Sequence, residues 1–101
     1  MTMLHIVNKS PSQTRTLESC LRLSQDGHAL LLIEDGVYAA TTRSPATAAV
    51  RDAMTRLKVY ALQPDLEARG VHNAVIDGVT LVDYAGFVDL VAEHASSQSW
   101  L

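Results

Sequence analysis

The sequence predicts an α/β fold: a small Rossmann-like layered unit whose mainly parallel sheet of four to five strands is flanked by helices. Three observations predict it. Short apolar runs alternate with segments of helical periodicity along the whole chain. The links between them are short, so successive strands are joined by helical crossovers of right-handed sense. And the run Ala29-Leu30-Leu31-Leu32-Ile33 is continuously apolar rather than alternating. Continuous apolarity marks a strand covered on both faces, as in a parallel sheet.

The elements follow in order. Leu4-His5-Ile6-Val7 reads as a strand, ended by Asn8-Lys9-Ser10-Pro11. Pro11 breaks the pattern. Ser12 or Thr14 is placed to cap a helix over 14–24, in which Leu17, Cys20, Leu21 and Leu23 recur at helical spacing. Asp26-Gly27 stops that helix. The buried strand runs from His28 to Ile33 and ends abruptly at Glu34-Asp35-Gly36. Val37 to Thr41 reads as a helical turn and Thr41 to Pro45 as a loop. A helix over 46–57 carries Ala49, Val50, Ala53, Met54 and Leu57 on one stripe. Lys58 to Leu62 is a third strand. Gln63-Pro64-Asp65 opens a helix of one or two turns, with Pro64 in its first turn and Gly70 just past its end. Val75 to Val79 fits neither period. Leu81-Val82-Asp83 is a short fourth strand. Tyr84 to His94 is the last helix, with Tyr84, Phe87, Val88 and Val91 on one face and Leu90 and Ala92 off it. That distribution predicts contacts from two sides. Ala95 to Leu101 reads as a tail, polar until Trp100-Leu101.

Length and composition bound the function. The 101 residues suffice for one domain, expected to span 1–101. Hydrophobic residues make up 48% of the chain, a large apolar supply for so small a sphere. Part of it is expected to be covered by other subunits. The net charge is -3 and the eight basic residues are scattered, so there is no electrostatic footprint for nucleic acid. No segment approaches the roughly 18 apolar residues of a membrane span. Met1 to Ser10 holds one Lys and no apolar run follows, so no signal peptide is expected. A single cysteine fits a reducing cytoplasm.

In parallel α/β sheets, functional groups gather at the carboxyl ends of strands. Here those ends are Asn8-Lys9-Ser10, Glu34-Asp35-Gly36 and Leu62-Gln63-Pro64. No Gly-x-Gly follows the first strand and no Gly-Lys-Ser or Gly-Lys-Thr occurs, which argues against a dinucleotide or P-loop enzyme. His5, His28, His72 and His94 lie in four separate elements without metal-ligand spacing, and read as surface or satisfied core histidines. Neither a metal nor a cofactor is expected. Glu34 and Asp35 could be an acid–base pair or a magnesium ligand, but the turn and helix-cap reading of Asp35-Gly36 is favoured. Ser10 and Ser12 lack the Gly-x-Ser-x-Gly of a nucleophile elbow.

Cys20 is the candidate catalytic residue. A lone thiol can make neither an internal disulfide nor a structural zinc site. It can be a nucleophile, a carrier of transferred sulfur, or a small buried apolar residue. It shares its stripe with Leu17 and Leu21, which favours burial. It lies well inside its helix, where the helix N-terminus helps little, and Arg15 and Arg22 are not at facing positions. The residues alone name no activator.

Several stretches together carry a family resemblance. They are Leu4 through Pro11, Leu17-Glu18-Ser19-Cys20-Leu21, Leu30 through Ala40, Val59-Tyr60-Ala61-Leu62 with Asp65 through Gly70, Val82 through Leu90, and the closing Gln98-Ser99-Trp100. Over essentially its full length the chain resembles the DsrH/TusB family of sulfur-relay subunits, whose fold is DsrE-like, with the DsrH branch looking closer. The resemblance implies a cytoplasmic heterohexamer, two copies each of three related chains, in which DsrE-like and DsrF-like subunits are the partners. It implies a persulfide carrier in intracellular sulfur oxidation, an upstream sulfurtransferase and a small DsrC-like or TusE-like acceptor. The main sulfur-carrying cysteine is placed in the DsrE-like chain. DsrH-type subunits carry a cysteine where Cys20 stands, so Cys20 is a candidate accessory acceptor, exchanging sulfur by the rules of thiol exchange. The alternatives are a TusB-type subunit of the relay for tRNA wobble-uridine 2-thiolation, or a non-catalytic structural subunit.

Overall fold

The computed structural model describes residues 3–100. Its five strands are β1 (Met3–Val7), β2 (Ala29–Leu32), β3 (Lys58–Leu62), β4 (Thr80–Val82) and β5 (Ser96–Trp100). They form one sheet in the order β4-β3-β2-β1-β5, and every neighbouring pair is parallel. The helices are α1 (Thr16–Leu23), α2 (Thr47–Ala53), α3 (Gln63–Ala68) and α4 (Tyr84–Glu93), with a 3₁₀ helix over Glu34–Ala40 after β2. The expected parallel α/β layer is present.

The apolar pattern explains the layering. All four residues of β2 are buried, as its continuous apolarity predicts. On one face of the sheet, Leu17, Cys20 and Leu21 of α1 and Val50 and Ala53 of α2 pack with Val7, Leu30, Leu32, Val59 and Ala61. On the other, Leu90 of α4 packs with Leu4, Ala29 and Leu31, and Phe87 joins from the edge.

Four details differ from the sequence expectations. First, the polar tail forms β5. Ser96-Ser97-Gln98-Ser99 has little strand propensity of its own. The open edge of β1 supplies the ladder, with Met3 opposite Ser96 and Val7 opposite Trp100. Second, the helix over 46–57 is cut to Thr47–Ala53, because the chain turns where the Arg56 N–H donates to the Ala53 carbonyl; Leu57 still reaches the core. Third, α1 starts later than expected, at Thr16, and its cap residue Arg15 makes no side-chain cap hydrogen bond; Thr14, one of the two expected capping residues, accepts from the Thr16 N–H at 3.4 Å. Fourth, most of the longer apolar stripe of α4 points outward. Leu90 takes the inner position and Phe87 packs beside it, while Tyr84 is 61% and Val88 66% exposed and Val91 is exposed too. Val75 to Val79, which fitted neither period, makes one antiparallel bridge, Thr41 with Val75, and buries Ile76.

Candidate functional site

The carboxyl ends of β1, β2 and β3 are tied together. The Ile33 N–H donates to the Val7 carbonyl at 3.0 Å, fastening the end of β2 to that of β1. Glu34 then takes a left-handed backbone conformation, φ 49°, uncommon for a residue with a side chain. Its N–H donates to Asp65 Oδ2 at 2.6 Å, and its Oε2 lies 3.5 Å from Asn8 Nδ2. Asp65 stands just after β3, where Pro64 opens α3. Asp35 turns the other way and pairs with Arg69 Nε at 3.0 Å, while another Arg69 nitrogen donates to the Asp65 carbonyl.

Glu34 and Asp35 therefore diverge and do not act as a close acid–base pair. Among the described residues, no three His, Cys, Asp or Glu side chains converge on a metal-sized site. Ser10 and Ser12 line a cavity of about 340 Å³ with Tyr38, Arg43, Ser44 and Val71. Beside it, a shallow apolar groove of about 490 Å³ runs between α1 and the start of α2, lined by Leu17, Leu21, Pro45, Ala46 and Ala49.

Cys20 opens onto neither. Its side chain is 0% exposed, inside the cluster between α1 and the sheet. Its sulfur has Ser24 Oγ at 3.8 Å, and that hydroxyl donates to the Cys20 carbonyl at 2.6 Å. Burial pushes the thiol from 9.0 up to about 11, against a weaker downward pull from Ser24. At neutral pH the sulfur is a protonated thiol, not the thiolate that attacks a donor.

The structure also joins residues that no motif connected. His5 Nε2 lies 3.0 Å from His28 Nδ1, and the Trp100 indole N–H donates to His5 Nδ1 at 3.1 Å. Only the register of a parallel sheet, β1 between β2 and β5, brings these three together. The other two histidines stand apart, His72 exposed and His94 against the Leu90 carbonyl.

Fold and site define a small parallel α/β protein with no nucleotide loop, a buried thiol and an outward apolar helix face. A family model described as DsrH like protein matches residues 9–97. Protein TusB of Escherichia coli (strain K12) is 40% identical over 98 residues, covering 97% of this chain and 100% of TusB. Protein TusB of Shigella flexneri is 39% identical over the same shares. The chain belongs to the DsrH/TusB family of the sulfur relay. Among solved structures it is similar to the ychN protein from E. coli, with a TM-score of 0.77 and 19% identity over 98% of this chain and 99% of that one. A protein of unknown function from Methanobacterium thermoautotrophicum has a TM-score of 0.75 and 19% identity over 97% and 96%. At these identities the likeness is one of fold. No helix among the described residues is long and apolar enough to cross a membrane.

Proposed function

We propose that the chain is a TusB-type subunit of a cytoplasmic sulfur-relay complex that feeds tRNA wobble-uridine 2-thiolation, and that it serves there as a structural subunit. The observation that carries the pathway is the full-length 40% identity to TusB. It favours the tRNA branch over a DsrEFH-type role in sulfur oxidation. Burial of Cys20 supports the structural role. A relay thiol has to reach a donor and then an acceptor, and attack needs thiolate. Cys20 offers neither access nor ionisation in this conformation. The persulfide cysteine then belongs to a partner chain of DsrE-like type, with a DsrF-like chain completing the heterohexamer. The upstream sulfurtransferase and the TusE-like acceptor dock on the assembly. The outward stripe of α4 supports a surface for those partner subunits, since an exposed apolar patch on a small protein marks an interface.

The competing reading keeps Cys20 as a sulfur acceptor, which requires α1 to lift from the sheet during transfer. Complementation separates the two. In a strain lacking TusB, wild-type chain and Cys20→Ala are each expressed, and 2-thiouridine in digested tRNA is measured by mass spectrometry. Restoration by both supports the structural-subunit reading. Restoration by wild type alone, with Cys20→Ala still assembled, supports the acceptor. Failure of both with the chain assembled overturns the tRNA assignment.

A further inference from the structure

The triad of buried His5 and His28 with half-buried Trp100 has only one proton arrangement. An indole nitrogen donates and cannot accept. His5 Nδ1 must therefore be the acceptor of the Trp100 bond at 3.1 Å. A neutral His5 then carries its proton on Nε2, which donates to His28 Nδ1 at 3.0 Å. The Gln25 N–H also approaches that His28 nitrogen, at 3.4 Å, so His28 carries its proton on Nε2. Every bond is made when both rings are neutral.

One added proton has nowhere to go without breaking the chain. Placed on His5 Nδ1, it faces the indole N–H. Placed on His28 Nδ1, it faces the Gln25 N–H and the His5 Nε2–H. Moving the His5 proton to Nδ1 again loses Trp100. Both histidines are buried, so water does not readily replace the lost partner. Among the described residues, the elements around the pair bring no compensating anion. Glu18 and Arg22 on α1, Asp26 in the loop before His28, and Lys58 at the start of β3 are all exposed. Arg56 is engaged by the Leu21 and Ser24 carbonyls. Burial and then His28 hold the His5 ring below the usual histidine range.

Trp100 matters because it is the one large apolar side chain of β5. Among the described residues the strand pairs with β1 alone, its other residues are three serines and a glutamine, and Ser97, Gln98 and Ser99 are exposed. We propose that the His5–His28 pair is a proton-operated latch on β5: two neutral rings hold Trp100, and uptake of one proton breaks that bond and loosens the strand along the edge of β1. Burial, which holds the His5 ring below the usual histidine range, places the release on the acid side of neutrality.

The test uses the full chain, labelled with ¹⁵N and followed by NMR from pH 8 to pH 5. Amide protection of Ser97–Ser99 should fall by about tenfold, the scale of one net hydrogen bond, while Leu30–Leu32 of β2 stays protected. The change should coincide with titration of the His5 imidazole and with a shift of the Trp100 indole N–H. In His5→Gln/His28→Gln, each amide supplies one donor and one acceptor in place of a neutral ring and does not titrate, so β5 should stay protected to pH 5. Loss of β2 and β5 protection together would show global acid unfolding and overturn the latch. So would a β5 transition that persists in the double variant. If that variant does not fold, the wild-type titration decides alone: histidine and β5 midpoints that differ overturn the proposal.

Discussion

Gly36 lies so close to the carbonyl of Val7 that a Cβ carbon built on it would stand 2.3 Å from the carbonyl oxygen. The first turn of the 3₁₀ helix is thereby seated on the end of β1, and the obstacle is backbone that cannot swing aside. Gly36→Ala should destabilise the chain by about 3 kcal/mol, the upper end of overpacking costs. Urea unfolding checks this, as a lowered midpoint with an unchanged slope.

Cys20 should behave as a core thiol. In native protein it should resist an aromatic disulfide reagent at neutral pH and react fully once unfolded. Its pKa also sets an alkaline limit. The folded value, about 11, lies above the unfolded 9.0. The unfolded chain therefore releases its proton first as pH rises. The stabilisation is intact below pH 9 and is lost through pH 11, reaching about 2–3 kcal/mol. Cys20→Ala should remove that part of the alkaline slope, read from unfolding curves at pH 8 to 11.

The bond from Glu34 N–H to Asp65 holds a left-handed residue in place. Asp65→Ala should cost about 1–2 kcal/mol by leaving that donor without its charged acceptor. Adding Glu34→Gly should recover part of the loss, since glycine adopts positive φ without strain. Chemical denaturation of the single and double variants measures both steps.

The outward face of α4 offers a different kind of variant. Val88→Lys should change stability by no more than about 0.5 kcal/mol, because Val88 is 66% exposed. If the face meets partner subunits, the same change should abolish co-purification with them while the isolated chain keeps its circular dichroism.

The layers were legible because burial writes itself into the sequence. β2 announced itself through an unbroken apolar run, and α3 through Pro64 and Gly70. β5 did not, since serines form a strand there only because β1 presents an edge. The inward position of Leu90 was also hidden: α4 has apolar residues on two sides, and the small sheet patch beneath it decides between them. Cys20 on the stripe of Leu17 and Leu21 pointed to burial, as found. The histidines could not be grouped from spacing, because a parallel register joins residues far apart in sequence.

That register has a kinetic side. His5 meets His28 across 23 residues and Trp100 across 95. Closing the longer loop costs only about 1 kcal/mol more in chain entropy. It nevertheless means that β1 acquires its two neighbours at separate stages, since local pairings form ahead of distant ones. Until β5 arrives, β1 has one unsatisfied edge, with Leu4 and Val7 on it. During that interval the strand is a template for any other chain in the same state. Yield on refolding should therefore depend on concentration more steeply than the stability of the finished fold implies.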